Sequence, residues 1–130
     1  MEEIRVVYLD VYNRRPPEIR MISEDIDTFY KMLVCDSIEI PVRSIGGKLY
    51  RIICDEEFAL KDEFGMFPSA ITSDGRLDLC GNLIICGYAV VGDGNLSGLT
   101  EEDCQNIFSH VALVVNDDKT MHLVFSIDNY

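Results

Sequence analysis

Hydrophobic residues recur along this chain with two periods, and the switches between them outline its elements. Ile4 to Tyr12, IRVVYLDVY, is β-branched or aromatic on both alternating faces, which predicts a strand covered on both sides. A turn follows at Asn13-Arg14-Arg15-Pro16-Pro17, and Glu18 to Ile22 returns as its hairpin partner. The period then becomes helical. Ile26, Phe29, Tyr30 and Leu33 make one apolar stripe in a helix over 24–34, with Ser23 as its cap. Glu24, Asp25 and Asp27 suit the positive end of its dipole. Ser37 to Arg43 and Leu49 to Cys54 alternate again around a Gly46-Gly47 turn, which predicts a second hairpin.

Asp55 to Gly81 follows neither period. A connection of that length inside a compact chain is expected to be functional or mobile, and Phe58, Phe64, Met66 and Phe67 argue against simple disorder. Asn82 to Val91 is the clearest buried strand. A second helix, over 100–110, opens at Thr100 with Glu101, Glu102 and Asp103 in its first turn, close to a capping box, and Leu99 can staple onto Cys104. Val111–Val115, the turn Asn116–Lys119 and Met121–Ile127 predict a closing hairpin. The pattern as a whole predicts an α+β fold. It is a single domain over 1–130, a mostly antiparallel sheet with two short helices packed on it, whose central strands include 4–11 and 83–91.

Composition narrows the function. At 130 residues and 48% hydrophobic content the chain can bury a core. Its net charge of −12, from 23 acids and 11 bases, repels nucleic acid and anionic membrane, so neither is expected as a direct partner. The longest nearly apolar run, Leu83–Gly92, is far short of the ~20 residues that span a bilayer. No basic segment precedes an apolar run near Met1, and a cytoplasmic location is expected. The cysteines Cys35, Cys54, Cys80, Cys86 and Cys104 lack C-x-x-C spacing and sit mostly in apolar runs, as reduced core thiols do. With His110 and His122 twelve residues apart, no metal site and no cofactor are expected.

The segment VVGDGNLSGLTEED, Val90 to Asp103, looks at first like a nucleotide-binding loop. A dinucleotide fingerprint needs G-x-G-x-x-G with its last glycine in the first helical turn. Gly98 comes one residue late and precedes the cap, and no G-K-[ST] is present. The acids at 101–103 would also repel phosphate from that helix start. The loop therefore reads as a structural turn.

The same stretch carries a different likeness. DLCGNLIICGYAVVGDGNLSGLTEEDCQNIF (Asp78–Phe108), with ICDEEFALKDEFGMFPSAI (Ile53–Ile71) ahead of it, resembles a family of small proteins of unknown function borne by phages and plasmids. Its pattern is an I-C-G-apolar-apolar-V-V-G-D strand, a glycine turn and an L-T-x-E/D-E/D helix, preceded by a D/N-E-E turn and a proline loop. The opening strand and the helix from Glu24 to Leu33 sit where the family has them. This chain departs where Phe64-Gly65-Met66-Phe67-Pro68 replaces G-L-P and an extra SDGRLDL follows. The resemblance implies a mobile-element accessory protein of the kind deployed against host defences, and no catalytic residues.

Among the side chains, Arg14 and Arg15 are the only adjacent bases, and on a proline-stiffened turn they could clamp phosphate; a solubilising hairpin tip is the alternative. Phe64 and Phe67 could stack on a planar base, or simply tuck onto the sheet. Asn82 and Tyr88 could add polar contacts. The carboxylate runs 55–57 and 62–63 stay solvated on a polar loop, and Cys104 and His110 point to different faces of their helix, so an enzyme is not expected. The expectation is a non-enzymatic phage counter-defence protein that binds and sequesters a small nucleotide-type immune signal, such as an ADP-ribose derivative or cyclic nucleotide, in the cytoplasm of an infected bacterium. Its ligand-binding residues would be Arg14, Arg15, Phe64, Phe67, Asn82 and Tyr88. The alternative is an acidic DNA-mimic decoy against a host DNA-binding or restriction protein, with Glu24, Asp25, Asp27, Glu101, Glu102 and Asp103 as its phosphates. A host defence protein, or further copies of the chain in a homodimer or higher homo-oligomer, stay open as partners.

Overall fold

The computed structural model describes residues 3–62, 67–92, 94–115 and 118–129. They form eleven strands and three helices, an α+β fold with two mostly antiparallel sheets. The first sheet is built on β1 (Glu3–Leu9), β2 (Glu18–Ser23), β8 (Leu83–Val91), β5 (Lys48–Asp55) and β3 (Ile38–Glu39), side by side in the order β2-β1-β8-β5-β3. β4 (Val42–Ile45) also pairs with β5, and β9 (Asn95–Ser97) with β8. The second sheet runs β10 (Val111–Val115), β11 (Met121–Ile127), β6 (Pro68–Thr72), β7 (Leu77–Cys80). Within it β11 and β6 are parallel, with Phe125 beside Ala70.

The first sheet is covered on both faces, which is why β1 is apolar at every position from Val6 to Leu9. Val7 and Leu9 point into a core shared with the second sheet (Ala70, Leu79, Phe125, Ile127) and with α3 (Glu101–Phe108) through Cys104 and Ile107. Val6 and Tyr8 point the other way, against Phe29 and Leu33 of α1 (Ile26–Leu33). Each fully buried aliphatic side chain of this kind contributes about 1.5–3 kcal/mol relative to exposure.

The helices follow the expected stripes with one adjustment. Asp25, not Ser23, caps α1, accepting the Thr28 N–H at 2.8 Å, because Ser23 is still paired to Glu3 in the β1–β2 ladder. Thr100 and Asp103 form a complete capping box on α3. Residues 55–81, expected to be irregular, hold a single helical turn, α2 (Phe58–Lys61), and the hairpin β6–β7. Register shifts between Pro68 and Ile71 break the alternation that would have announced β6. Those inserted strands create the second sheet, where the pattern predicted one. No helix among the described residues is long and apolar enough to cross a membrane.

Candidate functional site

A groove of about 500 Å³ opens where the start of β5, the end of β8, β9 and the start of α3 converge. Its making begins with the turn between β4 and β5. Gly46 and Gly47 both have positive φ (59° and 80°), and a side chain at Gly46 would strike Asn106 and His110 of the α3 end, so the turn packs close beneath the helix. Lys48 and Tyr50 leave that turn toward α3. Across the groove Gly87 plays the same part: a Cβ there would collide with Ser97 Oγ and come within 3.0 Å of the Gly98 carbonyl, so only glycine lets β9 lie this close. The β8–β9 register slips between Gly87 and Val90, and the two residues within the slip, Tyr88 and Ala89, form the rim with Ser97 and Gly98.

Asp103 organises the polar floor. It is 7% exposed. Its Oδ1 accepts from the Lys48 ammonium and, at 3.3 Å, from the Tyr50 hydroxyl, while Oδ2 takes the Thr100 N–H at 2.9 Å. Tyr50 is itself fixed by Asn106, whose amide donates to the Tyr50 hydroxyl and to the Ile45 carbonyl, both at 2.9 Å. Burial alone would raise the Asp103 carboxyl pKa, but the bonds from Lys48 and Thr100 outweigh it and hold the group below its ordinary value. Asp103 is therefore an ionised acceptor at neutral pH, suited to receive hydrogen bonds and not to deliver a proton. At the rim, Tyr88 is 46% exposed. The Arg51 guanidinium lies 5.2 Å from its ring centroid and Arg51 Nε donates to the Tyr88 carbonyl at 2.9 Å, so a cation and an aromatic side chain are locked together there.

Of the residues expected at a ligand site, the structure brings only some together. Arg14 and Arg15 stand exposed on the β1–β2 turn, Arg14 with φ of 54° and 3.7 Å from Asp118, an exposed pair of little energetic weight. Phe67 is half-buried and meets Tyr12 edge-on, with ring centroids 5.1 Å apart. Asn82 is 1% exposed and its side chain is used inside the fold. Its amide donates to the Tyr8 hydroxyl and the Met32 carbonyl, and its Oδ1 accepts from the Tyr12 N–H, so the polar contact expected of it is made to the protein itself. Phe64 lies outside the described residues. Tyr88 is at the far end of β8, six residues from Asn82, or about 20 Å of strand. One small ligand cannot span both groups.

The groove's own residues Lys48, Tyr50 and Asp103 were missed as a set, because they are distant in sequence and Asp103 already had an explanation as a dipole-compensating acid. The doubled glycine before Lys48 was the available signal. The acids of the decoy reading are divided as well: Glu24 accepts the Leu96 N–H at 2.7 Å, Asp25 caps α1 and Asp103 sits in the groove floor, which leaves Asp27, Glu101 and Glu102 exposed. All five cysteines are free, four of them buried. Comparison with protein-family models, curated proteins and solved structures finds no match to this chain, so the site rests on its own geometry.

Proposed function

We propose that this is a non-enzymatic binding protein that holds a small nucleotide-type ligand in the groove between Lys48, Tyr88 and Asp103. One observation carries the reading: Tyr88 and the Lys48 ammonium, held in place by the buried Asp103 carboxylate, line about 500 Å³ of concave space. A nucleotide uses both chemistries: its base stacks on an aromatic face and its phosphate pairs with an ammonium. Lys48 supplies positive charge in the groove, Arg51 adds it nearby against the Tyr88 ring, and the chain's net −12 acts weakly there because screening limits it to about 8 Å at physiological salt. The depressed Asp103 favours holding over turnover. The family resemblance adds the setting: a phage protein that sequesters a host immune signal in the bacterial cytoplasm.

The DNA-mimic reading has less behind it, since a duplex presents a charge every ~1.7 Å and three of the six carboxylates proposed for it are engaged with backbone or buried. Calorimetry with a panel of cyclic nucleotides and ADP-ribose derivatives separates the two. Tyr88→Ala removes a stacking face worth about 1–3 kcal/mol, or roughly one to two decades of affinity. Lys48→Ala should weaken phosphate-bearing ligands, and Glu101→Gln with Glu102→Gln should leave binding intact. Loss on Arg14→Ala and Arg15→Ala with Tyr88→Ala silent would move the site to the other end of the fold. No heat from any ligand, with competition against DNA that vanishes in the Glu101→Gln/Glu102→Gln variant, would replace sequestration by mimicry.

A further inference from the structure

β10 ends the four-stranded sheet, and no strand pairs with its outer edge among the described residues. Edge strands that stay single are blunted by charge, proline or a bulge. Val111-Ala112-Leu113-Val114-Val115 has none of these, and its pairing with β11 is regular throughout. Ser126 donates its N–H to the His110 carbonyl at 2.7 Å. Because antiparallel ladders alternate, the bonds to β11 continue at Ala112 and Val114, and the backbone groups of Val111, Leu113 and Val115 point outward.

The side chains of the same three residues share a face with their register partners Phe125, Leu123 and Met121. That face is core at Phe125 and loses its cover toward the turn, where Leu113, Val115 and Met121 are 58%, 63% and 59% exposed. Backbone and side chains thus want a partner at the same positions.

We propose that this edge pairs with β10 of a second copy of the chain, antiparallel about a two-fold axis at Leu113. Leu113 then faces its own symmetry mate and Val111 faces the partner's Val115, an isologous contact that joins the two four-stranded sheets into one. The sequence is apolar in either direction, so self-pairing sets no like charges opposite each other on a chain of net −12. Charge at the ends is balanced. The register brings Asp118 and Lys119, with Arg14 tied to Asp118, alongside the C-terminal turn of the other copy's α3. The two bases offset the acids at 117 and 118, so no net like charge is brought together.

Sedimentation and cross-linking test the pairing. The wild-type chain is expected to sediment as a dimer at micromolar concentration with a denaturation midpoint that rises with protein concentration, and Leu113→Lys or Val115→Lys as a monomer with unchanged circular dichroism and a concentration-independent midpoint, since both positions are exposed in the single chain. In Leu113→Cys on a Cys35→Ser background, hydrogen-bonded antiparallel partners lie about 5.5 Å apart at Cα, within disulfide reach, so mild oxidation should give a covalent dimer that Cys35→Ser alone, with its four buried thiols, does not. A wild-type monomer overturns the proposal, and would leave the edge to a strand from a different protein. A dimer indifferent to both lysines, with no cross-link at 113, overturns it equally. Neither readout depends on nucleotide binding in the Lys48–Asp103 groove.

Discussion

Asn82 and Tyr8 hold each other across the first sheet: the Asn82 amide donates to the Tyr8 hydroxyl at 3.2 Å, and both side chains donate to the Met32 carbonyl, at 2.9 Å and 2.6 Å. The triangle ties the start of β8, the strand β1 and the C-terminal end of α1 together. Removing one member leaves buried partners unsatisfied, so Asn82→Ala is expected to cost about 1–3 kcal/mol by chemical denaturation. A double-mutant cycle with Tyr8→Phe should show clear coupling, whereas independent effects would mean that the triangle is not a unit.

The Tyr8 phenol is pushed up to about 12, by burial first and by the nearby Asp10 charge second. A folded-state value above the unfolded ~10 means that its contribution is complete below pH ~10 and is lost as pH rises toward the folded value. An ultraviolet phenolate titration of the native protein should show Tyr8 ionising last, together with unfolding, and Tyr8→Phe should remove that alkaline component.

On the acid side the sign reverses. Asp103 and Asp128 both sit below the ordinary carboxylate value, Asp103 because the Lys48 and Thr100 bonds outweigh its burial, Asp128 through the Ser44 hydroxyl and the Gly47 N–H. Their stabilisation is present above the unfolded pKa of ~3.9 and disappears as pH falls through the folded values. Denaturation midpoints measured from pH 7 to pH 3 should fall, and Asp103→Asn should flatten the drop.

Burial raises the Cys80 and Cys86 thiols to about 12 and Cys54 further still. Thiolate is the reactive form, so labelling of the native protein should be slow, with half-buried Cys35 modified first. Fast modification of Cys86 in a folded sample would contradict the packing described for β8.

Gly87→Ala places a methyl against Ser97 Oγ and the Gly98 carbonyl. Overpacking of this sort typically costs about 1–3 kcal/mol. Here it should also push β9 off β8 and weaken ligand binding in the groove more than an equally destabilising change elsewhere, which calorimetry at matched stability would resolve.

The sequence pattern was most informative where one face or one period dominates. β8 keeps the bounds of its long apolar run, and α3 starts at the cap that Thr100 and Asp103 announce. It was least informative between 55 and 81, where β6 is bulged and β7 is only Leu77–Cys80, too short for alternation to show. The groove was invisible for a different reason. Lys48 and Asp103 are brought together by the Gly46-Gly47 turn and the α3 cap, and local rules explain each of them without the other. Asn82 shows the converse error: a lone amide before an apolar strand looked available to a ligand, yet three backbone and side-chain partners inside the fold use it completely.

The parallel contact of β11 with β6 has a kinetic consequence. β6 and β7 can form their hairpin as soon as they are synthesised, but β6 finds its other neighbour only after α3 and β10 have been made and β11 follows. Closing so long a stretch of chain before its contacts are gained is slow compared with forming a hairpin. Docking of β11 is therefore expected to set the folding rate, and Phe125→Leu should slow refolding in proportion to its loss of stability, leaving unfolding nearly unchanged.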